Sequence, residues 1–368
     1  MIICCQAAAF PAIVVAMTIF VGMSGGVDSS VAAMLLRDEG HKVVGVFMRC
    51  YNLDGCAEND AEDARRVAEH LGIPFYVWDF EEEYKKRVVE YMIEGYRAGI
   101  TPNPDVMCNR EIKFGLFMEK ALAMGADRVA TGHYVRLGSG SRGPALFEAV
   151  DRNKDQSYFL WTLTEKELAR CSFPIGNYVK PAVREMARKA GLPTAEKKDS
   201  QGICFLGNVD IESFLKQYIP ERRGALVTTA GERIGEHSGA AFYTIGERHI
   251  RADFRFPKTG GANARRPLYV ASKDMATNTV VVAEGDDNPA LYKDAIEVAD
   301  INEIDAPENG RVFVRVRYRQ PLAAASFTRR GDGTASIAFD APQKFVSSGQ
   351  SAVWYSKDGE LLGGGIIR

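Results

Sequence analysis

Between residues 17 and 135, short apolar runs alternate with stretches in which apolar residues recur every three or four positions. The runs at 18–22, 42–48, 75–78 and 128–130 predict β-strands. Helices are predicted over 29–36 and 111–124, and around the stripe Ala61, Ala64, Val67, Ala68 and Leu71, whose spacing lines one helical face. Strand alternating with helix implies right-handed crossovers and a parallel sheet covered on both faces. Such a sheet binds ligands beyond the carboxyl ends of its strands. The segment Thr101-Pro102-Asn103-Pro104-Asp105 interrupts the pattern, because two prolines in four residues fit neither a helix interior nor a central strand. It reads as a rigid loop that carries Asp105 and Cys108 to the start of a new helix. A further helix is expected from Pro181 to Ala190, ended by Gly191.

Past residue 207 the helical periodicity fades. Short β-type runs at 225–229, 268–270, 279–282 and 311–318 take over. Three domains are expected: an α/β catalytic domain over 1–207, a small central β-rich domain over 208–278, and a C-terminal β-barrel over 279–368. A chain of 368 residues has room for them.

Composition adds limits. Apolar residues make up 46% and charged residues 26%, which is ordinary for a folded protein, so disorder is not the default reading. With 46 basic and 48 acidic side chains the net charge is -2, so a basic surface for nucleic acid has to be local. The cysteines are Cys4, Cys5, Cys50, Cys56, Cys108, Cys171 and Cys204. No two stand in a C-x-x-C spacing, so a zinc ribbon or thioredoxin-like site is not expected. A reducing, cytoplasmic setting fits their irregular spacing. The apolar stretch 7–23 has no Lys or Arg before it and ends in a glycine-rich loop, which argues against a signal peptide and a membrane span. Residues 1–16 read as a short extension, or as an upstream start with Met17 the true first residue.

The chemistry begins at Gly22-Met23-Ser24-Gly25-Gly26-Val27-Asp28-Ser29-Ser30, between the first strand and the first helix. Glycines there let backbone N–H groups approach phosphate oxygens, and the helix N-terminus adds about half a positive charge. The loop lacks the lysine of the G-K-[ST] pattern and is not a G-x-G-x-x-G fingerprint. Asp28 is unexpected beside phosphates unless it holds a metal ion or orients the loop.

The order S-G-G-x-D-S resembles the pyrophosphatase loop of enzymes that split ATP to AMP and pyrophosphate. Within that group, Asn103-Pro104-Asp105-Val106-Met107-Cys108-Asn109-Arg110-Glu111-Ile112-Lys113-Phe114 resembles the signature loop of tRNA-specific 2-thiouridylases. So do Ala130-Thr131-Gly132-His133-Tyr134, Asn153-Lys154-Asp155-Gln156-Ser157-Tyr158-Phe159-Leu160 and Lys198-Asp199-Ser200-Gln201-Gly202-Ile203-Cys204-Phe205. The resemblance extends from about Met17 to the C-terminus. It implies an ATP pyrophosphatase domain, ATP with Mg2+, and a tRNA for Lys, Glu or Gln thiolated at its wobble uridine. It also implies a sulfur donor protein, either a cysteine desulfurase or a relay protein. Gly22, Met23, Ser24, Gly25, Gly26, Val27, Asp28, Ser29, Met48 and Gly132 would bind ATP. Cys108 would be the nucleophile, Cys204 the persulfide carrier and Asp105 an acid or base. Asn103, Pro104, Asp105, His133, Lys154, Asp155, Gln156, Arg317, Tyr318 and Gln350 would touch tRNA. The chain departs from the family at Glu247-Arg248-His249-Ile250-Arg251, where a glycine-rich stretch is usual, and that puts central-domain tRNA contacts in doubt.

The residues themselves support a two-cysteine reaction. The uridine C2 oxygen leaves poorly until it carries AMP. One thiol then donates a sulfur and a second takes up the bond left behind, which favours thiolates of lowered pKa. Polar neighbours place Cys108 and Cys204 at a surface, and Cys108 at a helix start. Cys171, beside Phe173, reads as a small core residue. For Cys50 and Cys56, core packing and a metal or cluster role stay open, as does a cluster on Cys108, Cys204 and Asp105. Arg311, Arg315, Arg317 and Arg319 alternate with Val312, Val314, Val316 and Tyr318, and no acid occurs from Arg311 to Arg330. That arginine face is either a solvated sheet face or a phosphate contact. Two rivals remain: an ATP pyrophosphatase acting on a small metabolite, and a non-catalytic RNA-binding protein.

Overall fold

A computed structural model describes residues 15–51, 55, 57–199, 209–254, 266–305 and 309–368. The expected extension at 1–16 falls almost wholly outside these residues, as do Cys204 and Cys56.

The N-terminal part is built on a five-stranded parallel sheet in the order β3-β2-β1-β4-β7. Its strands are β1 (Thr18–Gly22), β2 (Lys42–Arg49), β3 (Phe75–Asp79), β4 (Arg128–Thr131) and β7 (Cys171–Ser172), with the hairpin β5 (Val135–Ser139) and β6 (Pro144–Glu148) set apart. Isoleucine, phenylalanine and valine fill β1, and four of its five residues are buried, as a strand covered on both faces requires. Two helices flank it: α1 (Val27–Asp38) and α2 (Ala57–Leu71). The expected α2 stripe is the buried one, with Ala64, Val67, Ala68 and Leu71 facing the sheet. The chain lays β2 and β3 on one side of β1, then crosses to β4 on the other. That reversal opens a crevice at the carboxyl ends of β1 and β4, where Gly22 pairs with Thr131.

The central sheet has the order β10-β9-β8-β12-β11, from β8 (Gly224–Thr228), β9 (Arg233–His237), β10 (Ala252–Phe254), β11 (Leu268–Asp274) and β12 (Thr279–Glu284). A domain cut between 278 and 279 would separate the hairpin partners β11 and β12 and the parallel pair β8 and β12. The C-terminal part is a closed six-stranded barrel in the order β13-β16-β15-β14-β17-β18. Its strands are β13 (Tyr292–Glu303), β14 (Asn309–Arg315), β15 (Ala323–Arg329), β16 (Ala335–Lys344), β17 (Ser351–Tyr355) and β18 (Leu361–Ile367). The barrel begins at Tyr292 because β12 is paired elsewhere. Val312, Val314, Val316, Phe327 and Trp354 fill its interior. The expected α/β fold with a small β-rich domain and a barrel is thus the observed one. Among the described residues no helix is long and apolar enough to cross a membrane.

Candidate active site

The loop after β1 has the form of an anion cradle. Met23 and Val27 turn their side chains into the core, 1% and 3% exposed, so the loop offers a ligand backbone and serines. Gly25 has φ +72, and a Cβ there would run into the Asp60 carbonyl, so α2 fixes the loop from behind. Ser29 Oγ accepts from Ser24 N at 3.1 Å and lies 3.3 Å from Ser24 Oγ, which draws the loop over the N-terminus of α1. Gly132 sits against that terminus: a Cβ on it would stand 2.6 Å from Ser29 N. Met48 lies beside Gly22, its Cε 3.0 Å from where a Cβ would be. Asp28 is tied to protein donors. Both its oxygens accept from Lys180 Nζ, at 2.9 and 2.8 Å, and Oδ1 accepts from Tyr134 OH at 2.8 Å.

The proline loop leads into a helix that starts earlier than its sequence suggests. Asn103 caps it, accepting from Val106 N at 3.3 Å, with Pro104 in the first turn. The helix runs Pro104–Cys108 and continues as a π-helical stretch, Asn109–Leu116. Cys108 is therefore not at a helix start, and the helix dipole, which acts within the first turn, falls on Asp105. Nor is Cys108 at the surface: it is 5% exposed, in the same apolar cluster as Val106, Met107, Ile112 and Phe114. The polar neighbours that suggested exposure lie on the helix's other faces. Burial pushes the Asp105 carboxyl up from its ordinary value, and the Lys113 ammonium only partly offsets this.

His133 joins the two loops. It follows Gly132, and Thr131 Oγ1 lies 2.7 Å from its Nδ1. Its ring centroid lies 6.0 Å from that of Phe114 and 6.4 Å from that of Phe173. Burial, with Lys113 adding to it, holds its pKa well below the ordinary value, so the ring is neutral. Phosphate loop, His133 and the Cys108 helix thus pack contiguously at the switch point of the sheet.

The barrel closes this region in ways that alternation along its strands does not reveal. Arg315 is 8% exposed. It pairs with Glu148 at 2.5 Å and Asp155 at 2.7 Å and donates from Nε to the Gln320 carbonyl at 2.8 Å. Glu148 is also paired with Arg152. The expectation of a solvated or RNA-facing arginine strand is corrected here for Arg315: β14 lays its outer face on the N-terminal domain at this point. Asp155 shares that fate, 2% exposed, with Ser157 Oγ donating at 2.8 Å and Ala149 N at 2.9 Å. It ties two domains together and presents no surface to RNA. Arg311 is exposed and paired with Asp340. Arg317 lies 5.7 Å from the Phe345 ring, and burial lowers its pKa. Tyr318 packs on Phe159 at 4.5 Å, and the Phe159 carbonyl accepts from Asn109 Nδ2 at 3.1 Å. Gln350 donates from Nε2 to the carbonyls of Thr101 and Pro102 at 2.9 and 3.2 Å, so the barrel clamps the proline loop. Gln156 accepts from Tyr134 N at 2.9 Å. Lys154 is held by Asp199 at 2.6 Å.

Sequence reasoning missed Lys180, Tyr134 and Lys113. The first two reach Asp28 from 152 and 106 residues away; nothing local marks Lys180, and Tyr134 ended a recognised motif without a role of its own. Lys113 stood inside a recognised motif, but only the fold shows that Asp105 and His133 share it. Cys171 is a core residue as expected, fully buried, and burial pushes its thiol up. Among the described residues no group of three or more His, Cys, Asp or Glu side chains is placed to hold a metal.

Three family models match the chain in succession: a tRNA methyl transferase HUP domain over residues 17–208, a tRNA methyl transferase PRC-barrel domain over 212–284, and an aminomethyltransferase beta-barrel domain over 293–367. Among curated proteins, the chain is 46% identical over 359 residues to the tRNA-specific 2-thiouridylase MnmA of Thiobacillus denitrificans, covering 95% of this chain and 99% of that protein. The protein of the same name from Geobacillus thermodenitrificans is 44% identical, covering 95% and 94%. That of Bacillus subtilis is 43% identical, with the same coverages. Identity at this level over nearly the whole of both chains, with all three domains matched in order, makes this chain a member of the tRNA-specific 2-thiouridylase family.

Proposed function

We propose that this chain is a tRNA-uridine 2-sulfurtransferase that uses ATP to thiolate C2 of the wobble uridine in tRNAs for Lys, Glu and Gln. The observation that carries the reading is the contiguity of phosphate loop and Cys108 helix through Gly132 and His133. In the first step the uridine C2 oxygen attacks the α-phosphorus of ATP, and pyrophosphate leaves. The N–H groups at the start of α1, with Ser24 and Ser29, hold the phosphates. In the second step a persulfide on Cys204 supplies the sulfur. Cys108 attacks the Cys204 Sγ, the outer sulfur bonds to C2, and AMP departs with the former carbonyl oxygen. A Cys108–Cys204 disulfide remains, and two external thiols, oxidised to their own disulfide, return both cysteines to thiols.

Asp105, with its raised pKa, suits the acid role beside Cys108. The neutral His133 suits a hydrogen-bonding role towards the base. Arg317, Tyr318 and Lys154, together with the backbone of 103–104, are the remaining candidates for tRNA contact. Arg248 and His249 are exposed in the divergent stretch and are further candidates. Magnesium would travel on the triphosphate, held by phosphate oxygens and water, since Asp28 is committed to Lys180. The sulfur donor is a cysteine desulfurase or a relay protein, and the setting is the cytoplasm. A metabolite-directed pyrophosphatase has no use for a paired Cys108 and Cys204. Incubating the chain with unmodified tRNA, a persulfide donor and ATP should yield AMP and pyrophosphate in step with 2-thiouridine. ADP and phosphate as products would overturn the assignment.

A further inference from the structure

The phosphate loop leaves an electrostatic problem that its own residues do not solve. Asp28 lies in the first turn of α1, beside the place of the triphosphate in the reading above, and Gly22 to Ser29 contain no cation. A carboxylate so placed repels the ligand the loop is shaped for. The charge is answered from the start of the helix Lys180–Lys189. Lys180 Nζ donates to both oxygens of Asp28, at 2.9 and 2.8 Å, and meets Asp199 Oδ1 at 2.7 Å. The side chain is 11% exposed, and its backbone N–H is fixed by Asp151 Oδ2 at 2.9 Å. Tyr134 OH gives Asp28 Oδ1 a further bond at 2.8 Å. Asp199 is shared in turn with Lys154 at 2.6 Å and Arg184 at 3.1 Å. Two carboxylates thus face three cations, and the donors of Lys180 are directed at carboxylates, not at the open side of the loop.

We propose that Lys180 is a positioning residue for the phosphate loop: it keeps Asp28 a paired anion, turned to Lys180 and Tyr134 and not to a metal ion, so that the N-terminus of α1 can receive a triphosphate. This rests on the ATP-using reading. The competing role for Asp28 is that of a magnesium ligand, and the two roles predict opposite results when the partners are removed together.

The test is direct calorimetric binding of ATP with magnesium to the full chain, for the wild type, Lys180→Met, Lys180→Arg and the double variant Lys180→Met/Asp28→Asn. Lys180→Met leaves Asp28 unpaired and should weaken ATP binding about tenfold or more. Lys180→Arg should keep most of the affinity. Adding Asp28→Asn to Lys180→Met should recover most of the loss, with the magnesium requirement of the wild type. If the second substitution weakens binding further or shifts that requirement, Asp28 is a metal ligand and the proposal falls. It falls equally if Lys180→Met binds ATP like the wild type. Should Lys180→Met fail to fold by circular dichroism, the double variant, which lacks both charges, and Lys180→Arg still decide the matter. A wild type that binds no ATP would instead remove the ATP-using reading on which the proposal stands.

Discussion

Replacing Arg315 with Ala should destabilise the protein far more than it weakens RNA binding. The guanidinium is 8% exposed and answers two carboxylates, Glu148 and Asp155, each 2% exposed. Removing it leaves Glu148 with Arg152, and Asp155 with Ser157 Oγ and the backbone of Ala149. Breaking one side of a buried pair costs about 3–5 kcal/mol, because a charge is stranded away from water. The partners that remain place Arg315→Ala near the lower end, at about 3 kcal/mol. At roughly 4–8 °C per kcal/mol for a unit of this size, the barrel transition should drop by about 12–24 °C. The assay is thermal unfolding followed by the fluorescence of Trp354 and Trp161, one in the barrel and one against it, both buried. The triple variant Arg315→Met, Glu148→Gln, Asp155→Asn should recover a large part of the loss, since neutral groups of similar shape carry no stranded charge. tRNA binding by folded Arg315→Ala should keep the wild-type salt dependence. A melting point within about 1 °C of wild type, with a salt slope reduced by about one, would refute the reasoning and make Arg315 a phosphate contact.

Other outcomes follow from the same site. Cys108→Ser should load a persulfide on Cys204 without completing transfer, Cys204→Ser should not load productively, and the double variant should be about as inactive as either. Peptide mapping after one turnover without reductant should find the Cys108–Cys204 disulfide, and near-normal thiolation by Cys204→Ser would remove the relay. Gly132→Ala puts a Cβ 2.6 Å from Ser29 N, so the KM for ATP should rise at least about tenfold while Cys204 still accepts a persulfide; an unchanged KM would separate Gly132 from the nucleotide. Burial raises the pKa of Asp105, so its contribution to stability is full below the unfolded value and is lost as pH rises through the folded one. Asp105→Asn should therefore melt higher than wild type at pH 7 and no higher near pH 4, while losing thiolation; equal melting points at pH 7 would contradict the burial argument.

Much of the site was legible along the chain, for identifiable reasons. The run in β1, the stripe of α2 and the Pro104 start are local matters, fixed by period, branching and backbone restriction within a few residues. The phosphate loop is local too, since its glycines, serines and helix N-terminus are consecutive, and the motif around Cys108 carried the family. The tertiary structure alone decided which face of a pattern met water. Alternation in β14 separates Arg315 from Val314 and Val316, but both sides are buried there, one in the barrel and the other against Glu148 and Asp155. Cys108, flanked by polar residues, turns inward because those neighbours occupy other faces of its helix. β12 joins the central sheet by parallel pairing with β8, a contact across some fifty residues that strand propensity does not encode. The partner of Asp28 arrives from 152 residues downstream. Periodicity reports on neighbours in the chain, whereas charge pairing, burial and sheet membership depend on neighbours in space, and only the folded backbone brings those together.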